Sequence, residues 1–344
     1  MDIYYLRNAS NYLAWNHQLF LPLGMGSFLR KRVSGFDIIH VHSFRTYQNV
    51  MVRQFARHAG IPYVLAAHGS APRIVRKKVA KKLFDIIIGE NVLHDAAKLI
   101  AVSRAEMRQY EAMGVPVSKI AVIPNGIDAG QYSRLPDRGQ FCHKHGLHGR
   151  KLVTYIGRLN SRKGLDTLLK SMQKITELRN DVTLILVGPD DGYREQVKKM
   201  TRQMSLQDHV LLTGLITLPH KLEVLVDSVV VVYPGAFEIF GLVPFEALLC
   251  RRPIIVADDS GCGEIVSEAR AGLTVPVGDA DRLCAAIRCI LEDPESARTM
   301  TERGRKYVLE QMDWTRIAAE TERLYCDAIS ESPRRTKLKA PILS

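Results

Sequence analysis

Tyr233 to Glu264, YPGAFEIFGLVPFEALLCRRPIIVADDSGCGE, is the stretch on which the reading of this chain turns. The apolar, β-branched run Val229–Val232 leads into it as a buried strand, closed by Pro234 and Gly235. Glu238 follows in a loop, Gly241 turns the chain, and Leu242–Cys250 predicts a helix with Glu246 near its start. Pro253–Ala257 predicts a second strand, running into an acidic, glycine-rich loop from Asp258 to Glu264. The result is a strand–loop–helix–strand unit with two carboxylates beside a helix N-terminus. Open α/β sheets place ligands at such strand ends. A helix N-terminus offers unpaired N–H groups and partial positive charge to an anion.

The same alternation extends outward on both sides. After the unit come a strand at Gly272–Val275, helices at Ala280–Glu292 and Ser296–Gln311, and a last long helix at Trp314–Ile329. Before it, Lys151–Ile156, Val182–Val187 and Val210–Thr213 predict strands separated by amphipathic helices. The pattern fades between Ala129 and Arg150, the expected approach to a domain boundary. Further upstream, Phe36–His42, Pro62–Ala67, Lys98–Ser103 and Ile120–Ile123 predict buried strands. Ile3–Leu6 predicts a short strand, and Asn11–Leu23 a loop or short helix. Strands alternating with helices predict two α/β domains with mainly parallel sheets.

A length of 344 residues favours two domains over one. With 46% hydrophobic and 24% charged residues, the composition is that of a globular protein. No uncharged apolar run reaches the ~18 residues of a membrane span, and the first residues lack a signal-peptide pattern. A cytoplasmic protein, peripheral to a membrane at most, is the expectation. The six cysteines show no C-x2-C pair and are expected to be small buried hydrophobes. A formal charge of +12 points to an anionic partner. The basic segment Arg73–Phe84 predicts a surface helix, with peripheral contact to an anionic membrane as its functional reading. No helix-turn-helix or aromatic pattern accompanies the charge, so nucleic acid is not expected.

Candidate chemistry gathers at predicted strand ends. Glu238 and Glu246 bracket a loop and one helical turn, so both carboxylates reach one pocket as acceptors for sugar hydroxyls. Arg158 and Lys163 bracket the turn between a strand and a helix, a place suited to a diphosphate. His68 ends a buried strand just before a glycine, exposed at the sheet edge for substrate contact or proton transfer. His40 and His42 are read as facing opposite sides of their strand, which excludes a metal site using both. Neither a P-loop nor a G-x-G-x-x-G stands at a strand–helix junction, which speaks against an ATPase or a nicotinamide enzyme.

Together these residues resemble the retaining glycosyltransferases of the GT-B fold, the large group 1 family (family 4 of the sequence classification). The resemblance runs from Phe36 to Ile329. Its most specific parts are Glu238-x7-Glu246 with Phe240-Gly241 between, Gly157–Leu159 followed by Lys163-Gly164, and Pro124–Asp128 (PNGID). The HGS at His68, the AVS ending in Ser103 and the G-x-x-E ending in Glu264 agree with it. The resemblance implies two Rossmann-like domains facing across a cleft: a shortened acceptor-side domain over 1–146 and a nucleotide-sugar domain over 147–312. A helix over 313–330 would cross back to the first, and 331–344 would form a loosely attached tail. It implies that Arg158 and Lys163 neutralise the donor diphosphate, that Glu246 holds the ribose and that Glu238 contacts the donor sugar. Backbone N–H groups of Gly241, Leu242 and Val243 would meet phosphate or sugar, Gly214 would lie near the base, and His68 would face the sugar. The catalytic set implied is His68, Glu238, Arg158 and Lys163. No cofactor or metal is implied. The substrates are a UDP-, GDP- or other nucleotide-diphosphate sugar and a glycan, lipid-linked or small-molecule acceptor.

The chain departs from the family's pattern in three places. The family's first strand and glycine-rich loop are not found ahead of Ile3, Arg251-Arg252 stands where a glycine is common, and Cys262 interrupts the following loop. The first of these makes a non-catalytic nucleotide-sugar-binding protein or partner subunit the alternative reading. A GT-B epimerase is disfavoured by Glu238-x7-Glu246.

Overall fold

The structure is a computed structural model and describes residues 2–17, 19–72, 82–259 and 261–332. The expected basic helix falls largely on 73–81, and the expected tail on 333–344, outside the described residues. Two compact units divide the chain: Met1–Pro124 with Ala318–Ser344, and Asn125–Ile317. The second unit starts earlier than the expected boundary at 146. The reason is packing within 125–146: Lys144 pairs with Glu223 at 2.8 Å, and the Asp227 carboxylate accepts from the N–H of Cys142 at 2.9 Å.

The first unit carries a parallel sheet in sequential order: β1 (Ile39–His42), β2 (Tyr63–Ala66), β3 (Lys98–Ala101) and β4 (Ile120–Val122). All of β2 is buried, as the unbroken apolar run predicts for a strand covered on both faces. Helix Tyr47–Ala59 starts at Thr46, whose hydroxyl accepts from the Asn49 N–H, and stops at the left-handed Gly60. The expected strand at Ile3–Leu6 is instead irregular, with Tyr5 90% exposed, because no neighbouring strand pairs with it. Asn11–His17 is helical, and helix Met25–Arg32 falls where no element was predicted. From Ala318 the last helix, Trp314–Ser330, belongs to the first unit, where Tyr325 meets His40 and Glu331 pairs with Lys98 at 2.8 Å.

The second unit has six parallel strands: β5 (Lys151–Ile156), β6 (Val182–Val187), β7 (Val210–Gly214), β8 (Ser228–Tyr233), β9 (Ile254–Ala257) and β10 (Leu273–Val275). Their spatial order is β10-β9-β8-β5-β6-β7. The chain therefore winds outward from β5 in one direction, then returns to its other side at β8 and winds the opposite way. This doubly wound order opens a crevice at the carboxyl ends of β5 and β8. Every residue of β6 is buried. Helix Leu165–Leu178 presses Leu165, Leu168, Leu169, Met172 and Ile175 into the core at helical spacing. Each such side chain contributes about 1.5–3 kcal/mol of burial, and that packing fixes the loops above.

Candidate functional site

Because β5 and β8 are neighbours, the loops that follow them meet. Helix Leu165–Leu178 begins directly after Gly164, whose φ of 68° is left-handed. A Cβ there would overlap the carbonyl oxygen of Pro234 at the end of β8. Glycine is thus required both by conformation and by close approach. The N–H of Ala236 donates to the Arg162 carbonyl at 3.0 Å, locking the two loops together.

This closure brings Lys163 onto Glu238. The ammonium pairs with one carboxylate oxygen, and the Tyr233 hydroxyl donates to the other at 3.1 Å. The Lys163 ammonium also lies 5.5 Å from the centre of the Tyr233 ring. Burial, reinforced by the Glu238 charge, raises the Tyr233 pKa far above the ordinary phenol value, so this hydroxyl stays a donor. Arg158 is placed differently from Lys163. It is largely exposed and reaches Asp191 at 2.9 Å, which also accepts from Asn160 at 3.0 Å.

Glu246 sits in helix Leu242–Leu249, one turn beyond Gly241. Gly241 has φ 69°, and a Cβ there would lie 2.8 Å from the Tyr233 ring, so only glycine lets the helix begin this close to β8. Pro244 stands in the first turn, where its missing N–H costs nothing and leaves the donors of Leu242 and Val243 at the helix start. The Glu246 carboxylate pairs with Lys221 and accepts a hydrogen bond from the Tyr132 hydroxyl. The PNGID segment supplies that tyrosine. Asp128 caps a short helical turn, Ala129–Tyr132, by accepting from Gly130 at 3.0 Å, and the N–H of Ile127 donates to the Met312 carbonyl at 2.8 Å. Gly214 ends β7 in a left-handed turn with open space around it.

The expected loop at Asp258–Glu264 is helical from Gly261 to Glu268. Cys262 and Val266, one turn apart, are buried, and the Cys262 N–H donates to the Glu238 carbonyl at 3.0 Å. The glycine-rich composition had suggested an open loop; the apolar pair turns it into a helix that braces Glu238 from behind. Cys250, Cys262 and Cys284 are buried as expected, whereas Cys289 and Cys326 are exposed and Cys142 is half-buried. Tyr132, Lys221 and Asp191 were missed as site residues, since each sits far in sequence from the carboxylate or cation it orients. Tyr233, in the strand just before Glu238, was missed because nothing in the local pattern set it apart from a core residue.

In the first unit, His68 follows β2 in a left-handed conformation, φ 50°. A buried frame holds its loop. The Glu106 carboxylate accepts from the N–H groups of Gly69 at 2.5 Å and Val102 at 2.8 Å. Arg45 donates to the carbonyls of Ser70 at 2.7 Å and Ala71 at 2.6 Å, and pairs with the fully buried Asp85 at 2.7 Å. The Ser103-x-x-Glu106 spacing of a capping box was the legible signal for this carboxylate, and Ser103 does accept from the Glu106 N–H at 3.3 Å. Arg45 and Asp85 left no such signal.

His42 Nδ1 lies 2.9 Å from His68 Nε2, and the rings of His40 and His42 are 4.2 Å apart. The expectation that His40 and His42 face opposite sides is therefore wrong: successive strand residues alternate, so positions two apart share a face. Among the described residues, no group of three or more His, Cys, Asp or Glu is arranged to hold a metal ion.

Burial, then the charges of His42 and His68, push His40 down to about 4. Burial also lowers His42 and His68. Between pH 6.5 and 4 the unfolded chain binds protons at these rings while the folded chain does not, so stability is complete above 6.5 and falls as the pH drops. After discounting for the open side of the ring, His40 is expected to cost about 1–2 kcal/mol by pH 4. Melting temperatures from pH 7 to 4.5 should fall less steeply in His40→Gln than in the parent. Equal slopes would remove His40 from the account.

Sequence models place this constellation in a family. The model described as glycosyl transferases group 1 matches residues 138–307, and that described as glycosyltransferase family 4 matches residues 4–131. The chain belongs to the group 1 glycosyltransferases. It is 27% identical over 241 residues to a glycogen synthase of Mycobacterium tuberculosis, across 68% of this chain and 54% of that protein. The chain thus spans about half the length of that relative. It is 26% identical over 299 residues to a GDP-mannose-dependent α-(1-6)-phosphatidylinositol monomannoside mannosyltransferase of Mycolicibacterium smegmatis, across 84% of this chain and 77% of that one. Its fold resembles that of Anabaena HepE in complex with UDP-glucose, with a TM-score of 0.75 at 21% identity over 90% of this chain and 84% of that one. The two parallel-sheet α/β units are those of the GT-B glycosyltransferases. Among the described residues, no helix of this group 1 chain is long and apolar enough to cross a membrane.

Proposed function

We propose that the chain is a retaining glycosyltransferase that moves a sugar from a nucleotide-diphosphate sugar to a hydroxyl of a glycan or lipid-linked acceptor. The observation that carries this reading is the Lys163–Glu238–Tyr233 cluster at the switch point of the second sheet. An ammonium has three donors, and the ion pair with Glu238 uses one, so Lys163 keeps donors for a leaving diphosphate. Arg158 adds a second cation on the same loop. Glu238 retains acceptor capacity for sugar hydroxyls, and Glu246, held by Tyr132 and Lys221, is suited to the two hydroxyls of a ribose. The N–H groups of Leu242 and Val243, with the Gly241 backbone, would meet phosphate or sugar, and Gly214 would lie by the base.

In this mechanism the donor breaks its anomeric C–O bond with charge building on the diphosphate, and the acceptor hydroxyl oxygen attacks from the same face while its proton passes to the departing phosphate oxygen. Lys163 and Arg158 stabilise that developing charge, with no metal needed. Glu238 orients the sugar rather than exchanging protons. His68 is neutral at pH 7, since burial and then His42 lower its pKa, and it serves as a hydrogen-bonding group for substrate.

A panel of UDP- and GDP-sugars tests the proposal, with oligosaccharide and lipid-linked acceptors and nucleotide release as readout. One donor should give acceptor-dependent release, with the product anomer matching that of the donor by NMR. An inverted product would overturn retention. A nucleotide that stabilises the fold without release from any donor would support a binding protein instead.

A further inference from the structure

A cavity of about 960 Å³ opens at the other end of the second sheet, among residues at the amino ends of its strands. Lys151 begins β5, Val229 lies at the start of β8 and Pro253 precedes β9. All strands run parallel, so this edge is opposite the one bearing Lys163 and Glu238. Seven lining residues are cations and two are carboxylates, a net of +5. Both carboxylates are engaged: Glu302 with Arg298 at 3.3 Å and Glu310 with Lys306 at 3.8 Å. Arg138, Arg251 and Arg305 form no ion pair with a carboxylate among the described residues, while Arg252 lies in the field of Asp227 and donates to the Cys250 carbonyl at 3.1 Å.

Three observations show that this arrangement is costly by itself. Burial, followed by the charge of Arg138, lowers the pKa of Arg252, the mark of a partly desolvated cation with another beside it. Arg305 Nε is buried without a hydrogen-bond partner. Arg251 holds a left-handed φ of 58°, which an L side chain adopts at a cost and a glycine would not. An anion offsets the first two, and the third is a cost retained where an arginine side chain is placed to meet one. Guanidinium forks match phosphate oxygens in pairs. The cations also fall on two walls. Arg138, Arg251 and Arg252 stand on the strand side, and Arg305 on helix Pro294–Gln311, with Ile290, Leu291 and Leu309 among the apolar residues that complete the lining.

We propose that this cavity is a second binding site of the chain, for a compact organic bisphosphate whose two phosphate esters engage the two walls. Fructose 1,6-bisphosphate serves as the soluble probe, with fructose as the uncharged control. Phosphatidylcholine vesicles with and without phosphatidylinositol bisphosphate form the lipid arm. Calorimetry should show saturable binding of the soluble probe, unchanged in Lys163→Ala and weakened at least tenfold in the Arg138→Gln/Arg251→Gly double variant. Both altered positions are exposed, so that variant is expected to fold, and relief at Arg251 should hold or raise its melting temperature. Arg305→Gln, on the other wall, should weaken binding independently. Binding to the bisphosphate vesicles alone, lost in the same double variant, would keep the chemistry and place the ligand on a lipid. Binding lost in Lys163→Ala, binding indifferent to the arginine variants, or no binding of either probe would each overturn the proposal.

Discussion

Lys163→Ala is expected to lower the turnover of nucleotide release about 10²- to 10³-fold, the loss seen when one preorganised charge-stabilising donor is removed from an active site. The effect should fall on kcat more than on KM, because the ammonium gains most as charge builds on the leaving diphosphate. Alanine also leaves Glu238 without its counter-charge in a site where both side chains are mostly buried. The fold should therefore lose about 1–3 kcal/mol while remaining native. Glu238→Gln preserves the shape and an acceptor for the Tyr233 hydroxyl but removes the charge, and should also reduce turnover strongly. Since the two side chains touch, their effects should couple in a double-mutant cycle rather than add. Near-parental kcat in both single variants, measured on folded protein, would sink the assignment of this cluster to the chemistry.

Gly164→Ala should be the most damaging single methyl in the second unit. The new Cβ meets the Pro234 carbonyl oxygen, and the left-handed φ of 68° adds the strain of a non-glycine residue. Backbone atoms cannot step aside as a flexible side chain can, so a cost of about 3–4 kcal/mol is expected. In a protein of this size that is roughly a 10 °C drop in melting temperature. Gly192→Ala is the matched control: its φ is 80° but nothing lies within 4 Å, so it carries only the conformational strain. Activity should fall further than stability in Gly164→Ala, because displacing Pro234 moves Glu238 away from Lys163. Equal melting temperatures for the two variants would show that the loops do not need this contact.

Much of the architecture was legible from local pattern. Val182–Val187 is apolar but for Thr183 and became a fully buried strand, and Leu165 to Ile175 showed the spacing of a helix with one buried face. Where local pattern failed, a partner distant in sequence had decided the outcome. Ile3–Leu6 is apolar enough for a strand yet pairs with none, and the stretch after Asp259 was drawn into a helix by the buried positions of Cys262 and Val266.

By itself the sequence marked which residues are candidates for chemistry. Glu238 and Glu246 are tied by a fixed spacing across Gly241, Lys163 precedes a helix, and a short stretch of chain settles both facts. Only the tertiary structure decided which of them lie together. Lys163 reaches Glu238 across 75 residues because strand order makes β5 and β8 neighbours, and Lys221 reaches Glu246 across 25 from the helix that precedes β8. The same ordering gathers Arg138, Arg251, Arg252 and Arg305 at the opposite edge, from segments with no common motif. Periodicity is a local property set by each residue's nearest neighbours in the chain, whereas strand order follows from how whole elements bury their apolar faces against one another.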